Sequence, residues 1–141
     1  HQSLPAKESG FLAGTYDGKS FTESGANAWN LTDQQKKFLK EDNLRHVLVM
    51  GIQSPEVAAR WNNQMQAYIE GLGLGIPGNT SSDPRHSGQL VGSSNPEFNA
   101  GGDRISIWPD GLAMAATFDP SIVKQFGEVA AKEYRALGIA T

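Results

Sequence analysis

Apolar residues recur along the chain with two different spacings, which predict strands and helices. The run RHVLVMGI at 45–52 is largely apolar and contains a glycine near its end, as is typical of a buried parallel strand. Two later stretches repeat apolar residues every three or four positions, which is the spacing of one helix face. The first face comprises Val57, Trp61, Met65, Tyr68 and Leu72, and the second comprises Val123, Phe126, Ala130, Tyr134 and Leu137.

Capping residues mark where the predicted helices begin. Thr32 and Gln35 have the spacing of a capping box, which predicts a short helix ending near Glu41. Ser54-Pro55 and Asp119-Pro120 each place an N-cap residue before a proline at the first helical position. Glycines follow both apolar faces and predict the helix ends.

Two further strands complete the pattern, at 74–82 and from 139 onward, although Pro77 weakens the first of them. The predicted order of elements is strand, helix, strand, long loop, helix and strand. This order predicts an α/β fold with a parallel sheet. Residues 1–30, rich in Gly, Ser, Thr and Asn, are expected to form an irregular arm. The sequence stops in mid-pattern, so we expect a piece of a larger fold. The loop 83–118 leaves the carboxyl end of a strand, where α/β proteins bind ligands.

Composition narrows the function classes. The chain has 141 residues, enough for one domain, and a net charge of −3 with no Lys/Arg run, so nothing favours nucleic acid as a partner. Its longest apolar run is too short to span a bilayer, so we expect no membrane partner. The absence of cysteine excludes thiol chemistry and favours a periplasmic or secreted location, although many cytosolic proteins also lack cysteine. Three scattered histidines give no metal-binding spacing, and no cofactor is expected.

The stretch SSDPRHSG at 81–88 concentrates the candidate chemistry. Asp83 either braces its own turn or accepts hydrogen bonds from a ligand, and Arg85 beside it forms either an ion pair or part of a site. His86 makes either a structural hydrogen bond or a ligand contact. In the following loop, Asp103, Arg104 and Asp110 are candidates to line a ligand-binding site. Trp108, which precedes a proline, is either a stacking platform or a hydrophobic anchor, and the family resemblance described next favours the anchor. His46 is expected to be a core histidine.

Two stretches resemble the N-terminal domain of glycoside hydrolase family 3, the β-glucosidases, β-xylosidases and related exo-acting enzymes. They are LGIPGNTSSDPRHSG at 74–88 and IWPDGLAMAATFDPSIVKQFGEVAAKEYRALGI at 107–139. Matching residues include Asp83, His86, Pro109, Asp119 and Glu133. The resemblance implies an incomplete (β/α)8 barrel of the TIM type, with only its first βα units at 31–141. Ser87 departs from the family pattern, which has glycine after the histidine.

The resemblance also implies roles for single residues. Asp83 matches the family acid that binds hydroxyls of the non-reacting sugar, and Arg85 and His86 resemble neighbours that hold this turn, so all three are assigned to substrate binding. The family's nucleophile and acid/base would lie downstream of Thr141, so no residue of this segment is assigned to catalysis. The implied partners are a small β-glucoside or oligosaccharide and the remainder of the same enzyme. The alternative is a standalone, non-catalytic α/β module that binds carbohydrate or another partner.

Overall fold

The chain forms a small α/β structure in the computed structural model, which describes residues 14–49, 54–82, 86 and 105–141. Within these ranges two strands pair in parallel, and helices precede and follow them. The elements in chain order are α1 (Phe21–Ser24), α2 (Asp33–Lys40), β1 (His46–Leu48), α3 (Pro55–Glu70), β2 (Asn79–Ser81), α4 (Gly111–Ala116) and α5 (Pro120–Leu137).

The helix starts predicted from the capping residues are confirmed. The Thr32 hydroxyl accepts the Gln35 amide at 3.1 Å, and the Gln35 side chain accepts the Thr32 amide at 2.9 Å. The Ser54 hydroxyl accepts the amide of the third helical residue of α3 at 3.1 Å. Asp119 accepts the Ser121 amide at 2.9 Å at the start of α5. Each bond satisfies a backbone donor that the first helical turn leaves unpaired.

Residues 139–141, where the sequence predicts a third strand, lie beside β2 without being part of a regular strand. The Thr141 amide donates to Thr80 at 3.1 Å, and the Ser82 amide donates back to Thr141 at 3.1 Å. This alternation is the hydrogen-bond pattern of a parallel pair. These bonds lie on the side of β2 opposite to β1, while regular pairing in the described residues is confined to β1 and β2. The architecture fits a partial α/β fold with its strand ends at one edge.

Helices cover one face of this sheet. Val47 lies in a cluster with Leu31, Leu39, Trp61, Met65 and Ile69, and Val49 lies in a second cluster with Tyr134, Leu137 and Ile139. Since side chains alternate along a strand, Val47 and Val49 point to the same face. The opposite face carries His46, Leu48, Asn79 and Ser81, none of them buried.

Three sequence predictions need correction. The strand predicted over 74–82 is confined to β2, and Leu74 and Ile76 are each 55% exposed. Pro77 supplies no amide to the ladder, and Gly73 and Gly75 adopt positive φ, so this segment does not extend the sheet. His46 is exposed, not a core histidine, because it alternates with the buried Val47. In α3, Ile69 is buried in place of Leu72. The other predicted strand, 45–52, is regular over β1, and its last residues lie outside the described ranges.

The described part of the arm is held by a carboxylate at the start of α2. Asp33 accepts the Thr15 hydroxyl at 2.8 Å, the Asp17 amide at 3.0 Å and the Gly18 amide at 2.9 Å. The Gly18 amide, followed by the Thr15 hydroxyl and Asp17 amide, lowers the pKa of Asp33 below its ordinary value of 3.8 against the opposing effect of burial. Since these donors favour the ionised form, the arm is attached by charge-assisted hydrogen bonds.

Asp33→Asn is expected to loosen the arm. A lowered folded-state pKa stabilises the fold above the unfolded pKa, near 3.8, and this contribution is lost as pH falls through the folded value. We expect hydrogen exchange over 15–19 to quicken about tenfold at pH 7, the equivalent of about 1.4 kcal/mol. The difference in exchange rate between Asp33→Asn and the parent protein should vanish at pH values below the folded-state pKa of Asp33. Asp42→Asn, at an exposed position, is the control; equal exchange in the two variants would contradict the assignment.

Gly138→Ala is expected to disrupt the contact between α3 and α5. Gly138 has φ +84°, and an added β-carbon would clash with the side chain of Asn62. The left-handed backbone costs about 1 kcal/mol for alanine, and overpacking adds about 1–3 kcal/mol. We expect a large fall in soluble yield and melting temperature. Gly127→Ala in the same helix adds a β-carbon that meets nothing within 4 Å, so it should be neutral or stabilising. Equal melting temperatures of the Gly138→Ala and Gly127→Ala variants would refute the steric argument.

Candidate functional site

The candidate site lies at the carboxyl edge of the parallel strands. Ser82, the residue before Asp83, is fixed there by its amide, which donates to the Thr141 carbonyl, and by its hydroxyl, which donates to the Val49 carbonyl at 2.8 Å. The carboxyl ends of β1 and β2 therefore lie side by side where the SSDPRHSG stretch begins. This is the edge at which parallel α/β proteins bind ligands. Asp83 and Arg85 lie outside the described residues, and their substrate-binding roles stay predictions.

His86 lies inside the protein, against α5. Its side chain has 0% exposure. The imidazole is edge-on to Phe126, with ring centroids 5.3 Å apart, and tilted against Tyr134 at 5.1 Å. Its backbone carbonyl accepts the Trp108 amide at 2.6 Å. A side chain in this position supports its surroundings, because no surface of it is open to a bound sugar.

Glu133 of α5 joins His86 to the segment 105–108. One carboxylate oxygen, Oε2, lies 3.0 Å from Nε2 of His86, within ion-pair distance. The ring nitrogen and this oxygen do not meet the geometry of a hydrogen bond. The contact between His86 and Glu133 is therefore a close approach of two polar groups without an aligned hydrogen bond. Ser106 donates to Glu133 twice, from its amide to Oε1 at 2.9 Å and from its hydroxyl to Oε2 at 2.8 Å. The carboxylate thus contacts two segments remote from it in sequence.

Trp108 extends this network, as the anchor interpretation predicts. Its indole Nε1 donates to the Ser106 hydroxyl at 3.0 Å, and its ring packs edge-on against Phe126 at 5.7 Å. Asp110 is used locally, because its carboxylate accepts the Ala113 amide at 2.7 Å and caps α4. The prediction that Asp110 lines a sugar site finds no support in this geometry. Asp103 and Arg104 lie outside the described residues.

Sequence reasoning gave no role to Ser106 or Glu133. Glu133 is among the residues matching the family pattern and precedes Tyr134, which faces the core, but helix spacing alone does not distinguish it from a solvated glutamate. Ser106 has no motif of its own. What the described residues form is a positioning network around an imidazole whose Nδ1 is buried and has no hydrogen-bond partner. This network can orient a neighbouring group, whereas a catalytic side chain needs an exposed reacting atom.

Neither a metal site nor a membrane span emerges from the ranges that the structure describes. No group of three or more histidine or acidic side chains there is arranged to hold a metal ion. None of the described helices combines the length and apolar character needed to cross a bilayer.

Curated relatives carry glycosidase names. The chain is 38% identical over 118 residues to a "Probable beta-glucosidase C" of Aspergillus flavus, a match that covers 82% of this chain and 17% of the relative. It is 39% identical over 105 residues to "Beta-glucosidase C" of Emericella nidulans, covering 74% of this chain and 16% of that protein. A "Periplasmic beta-glucosidase/beta-xylosidase" of Dickeya chrysanthemi is 41% identical over 87 residues, which is 61% of this chain and 12% of the relative.

These matches confirm the resemblance to β-glucosidases that the sequence motifs indicate. The chain spans about a sixth of the length of the two fungal relatives and less of the bacterial one. No family model matches the chain, and no solved structure matches it either.

Proposed function

We propose that this chain is part of the N-terminal barrel domain of an exo-acting, retaining β-glycosidase of glycoside hydrolase family 3. The observation that carries the proposal is the similarity of 82% of the chain to a relative named as a β-glucosidase. The parallel strand ends beside Ser82 and the sheet face whose described side chains are not buried support a barrel origin. The proposed reaction is hydrolysis of terminal, non-reducing β-D-glucosyl or related residues.

Asp83 is the proposed contact to the glycone, the sugar on the non-reducing side of the cleaved bond. An ionised carboxylate has two oxygens and accepts hydrogen bonds from two neighbouring hydroxyls. Ser82 holds the preceding backbone in the sheet, which limits how far Asp83 can lie from the strand ends. Arg85 is proposed to keep this carboxylate ionised, since a nearby positive charge favours the charged form.

His86 is proposed to act indirectly. Its side chain is fully buried and 3.0 Å from Glu133, so it would hold the end of the turn and not the sugar. This refines the substrate-binding role that the resemblance implies for His86 into a positioning role. A His86→Ala variant should therefore be less damaged in activity than an Asp83→Ala variant.

The chemical step of the proposed reaction needs two carboxylates about 5–5.5 Å apart, one a nucleophile and the other an acid/base. The resemblance assigns neither to this segment. Its share of the reaction is to bind and orient the glycone, which contributes to catalysis because hydroxyl contacts strengthen as the ring distorts towards the transition state.

The test is an assay of the full-length gene product that contains this segment. Purified protein is incubated with p-nitrophenyl β-glucoside and p-nitrophenyl β-xyloside, and the anomer of the first-formed sugar is followed by NMR. Turnover with β-anomer formed first supports a retaining β-glycosidase. Sugar binding without turnover would favour the alternative, a non-catalytic module, and α-anomer formed first would refute retention.

A further inference from the structure

The structure assigns a function to Glu133 that goes beyond the proposed activity. We propose that Glu133 is a positioning residue that fixes the end of the turn carrying Asp83, acting through His86 and Ser106. The inference rests on the proposed function, because it concerns the same glycone site. It names a residue on a helix that lies outside the SSDPRHSG motif.

The contacts of Glu133 distinguish it from an ordinary helix-surface glutamate. Glu128, on the same helix, is 60% exposed and lies 4.0 Å from Lys124 one turn away. The Glu133 side chain is only 26% exposed, and its contacts run to His86 and Ser106 instead of to its own helix. A solvated glutamate loses side-chain entropy when it is held in one geometry, so several contacts to remote segments indicate a specific use.

The same contacts bring two chain segments together. His86 and Ser106 are linked through the two oxygens of Glu133, and the Trp108 amide also bonds to the His86 carbonyl at 2.6 Å. Aromatic rings of Phe126 and Tyr134 enclose the imidazole. Without the carboxylate, the amide and hydroxyl of Ser106 would lose their acceptor and the buried imidazole its nearest charged neighbour.

Chain connectivity carries this effect to Asp83. Ser82 is held in the sheet on one side of the turn, and His86 is held by α5 on the other. Asp83 is three residues before His86, so its Cα lies at most about 11 Å from that of His86. Moving His86 therefore moves one of the two fixed ends of a short turn. A displacement on the order of 1 Å at a reacting geometry is enough to cost up to about a hundredfold in rate.

The experiment compares Glu133→Ala and Glu133→Gln with Glu128→Ala and Glu128→Gln in the full-length enzyme. The nitrophenyl glycoside that turns over is the substrate, and the corresponding free sugar is the competitive inhibitor. We expect Glu133→Ala to lower kcat/KM about ten- to a hundredfold and to raise both KM and the inhibition constant of the free sugar severalfold. Glu133→Gln keeps an acceptor for the Ser106 amide, so its loss should be smaller. Both Glu128 variants should stay within about twofold of the parent.

The inhibition constant distinguishes positioning from a merely structural role. A variant that is partly unfolded has fewer active molecules, which lowers kcat but leaves KM and the inhibition constant unchanged. That result in both Glu133 variants would overturn the proposal, as would kinetics equal to those of the Glu128 variants. Asp83→Ala, measured in parallel, tests the proposed function separately. If Asp83→Ala loses activity while Glu133→Ala does not, only the positioning role fails; if Asp83→Ala is fully active, the glycone site itself is wrong.

Discussion

Asp83→Ala is expected to lower kcat/KM of the full-length enzyme roughly ten- to a few hundredfold. Removing a charged acceptor from bound hydroxyls costs on the order of 1.5–3 kcal/mol, and each 1.36 kcal/mol corresponds to a factor of about ten in rate. Because contacts to non-reacting hydroxyls tighten in the transition state, kcat should fall together with the rise in KM. Steady-state kinetics with p-nitrophenyl β-glucoside or β-xyloside measure both.

Asp83→Asn separates the charge of this residue from its shape. Asparagine keeps one acceptor oxygen and a similar size, so we expect a severe loss that is still smaller than for alanine. Asp110→Asn serves as control, since Asp110 caps α4 in the structure and should leave kinetics unchanged. A folded Asp83→Ala enzyme with full kcat/KM would show that SSDPRHSG is only a turn.

The second large effect concerns the segment by itself. We expect the 141-residue chain to hydrolyse neither nitrophenyl glycoside, because the resemblance places the nucleophile and the acid/base outside it and retention requires both. The large apolar side chains Leu112 and Phe118 are 82% and 94% exposed, which adds a hazard of aggregation when the segment is produced alone.

Complementation turns this expectation into a measurement. The segment is co-produced with a second polypeptide encoding the rest of the gene product, and turnover is compared with that of each part alone. We expect activity only when both are present, and roughly ten- to a few hundredfold less of it when the segment carries Asp83→Ala. Turnover by the purified segment, after removal of contaminating enzyme, would contradict the assignment of catalysis to residues beyond it.

Helix starts were predicted at three of the five described helices, whereas α1 was missed in the arm expected to be irregular and α4 in the loop expected over 83–118. The caps at Thr32, Ser54 and Asp119 need only a side-chain oxygen and a backbone amide two or three positions later. Strand extent was predicted less well. The apolar pattern around Leu74 and Ile76 indicated a strand. Strand pairing, however, depends on which backbone donors and acceptors a neighbouring strand can reach, and this is decided by the tertiary arrangement of the sheet.

At the candidate site, the sequence alone determined the glycosidase-like motif and the three residues to examine, since these are short patterns of side-chain chemistry. Only the tertiary structure decided that His86 is enclosed by α5, and that Glu133 contacts both it and Ser106. Residues 86, 106 and 133 belong to no common sequence period. Packing of α5 against the ends of the strands brings these three residues into contacts of 3.0 Å or less. Burial strengthens each of these contacts, and a linear sequence pattern does not encode burial.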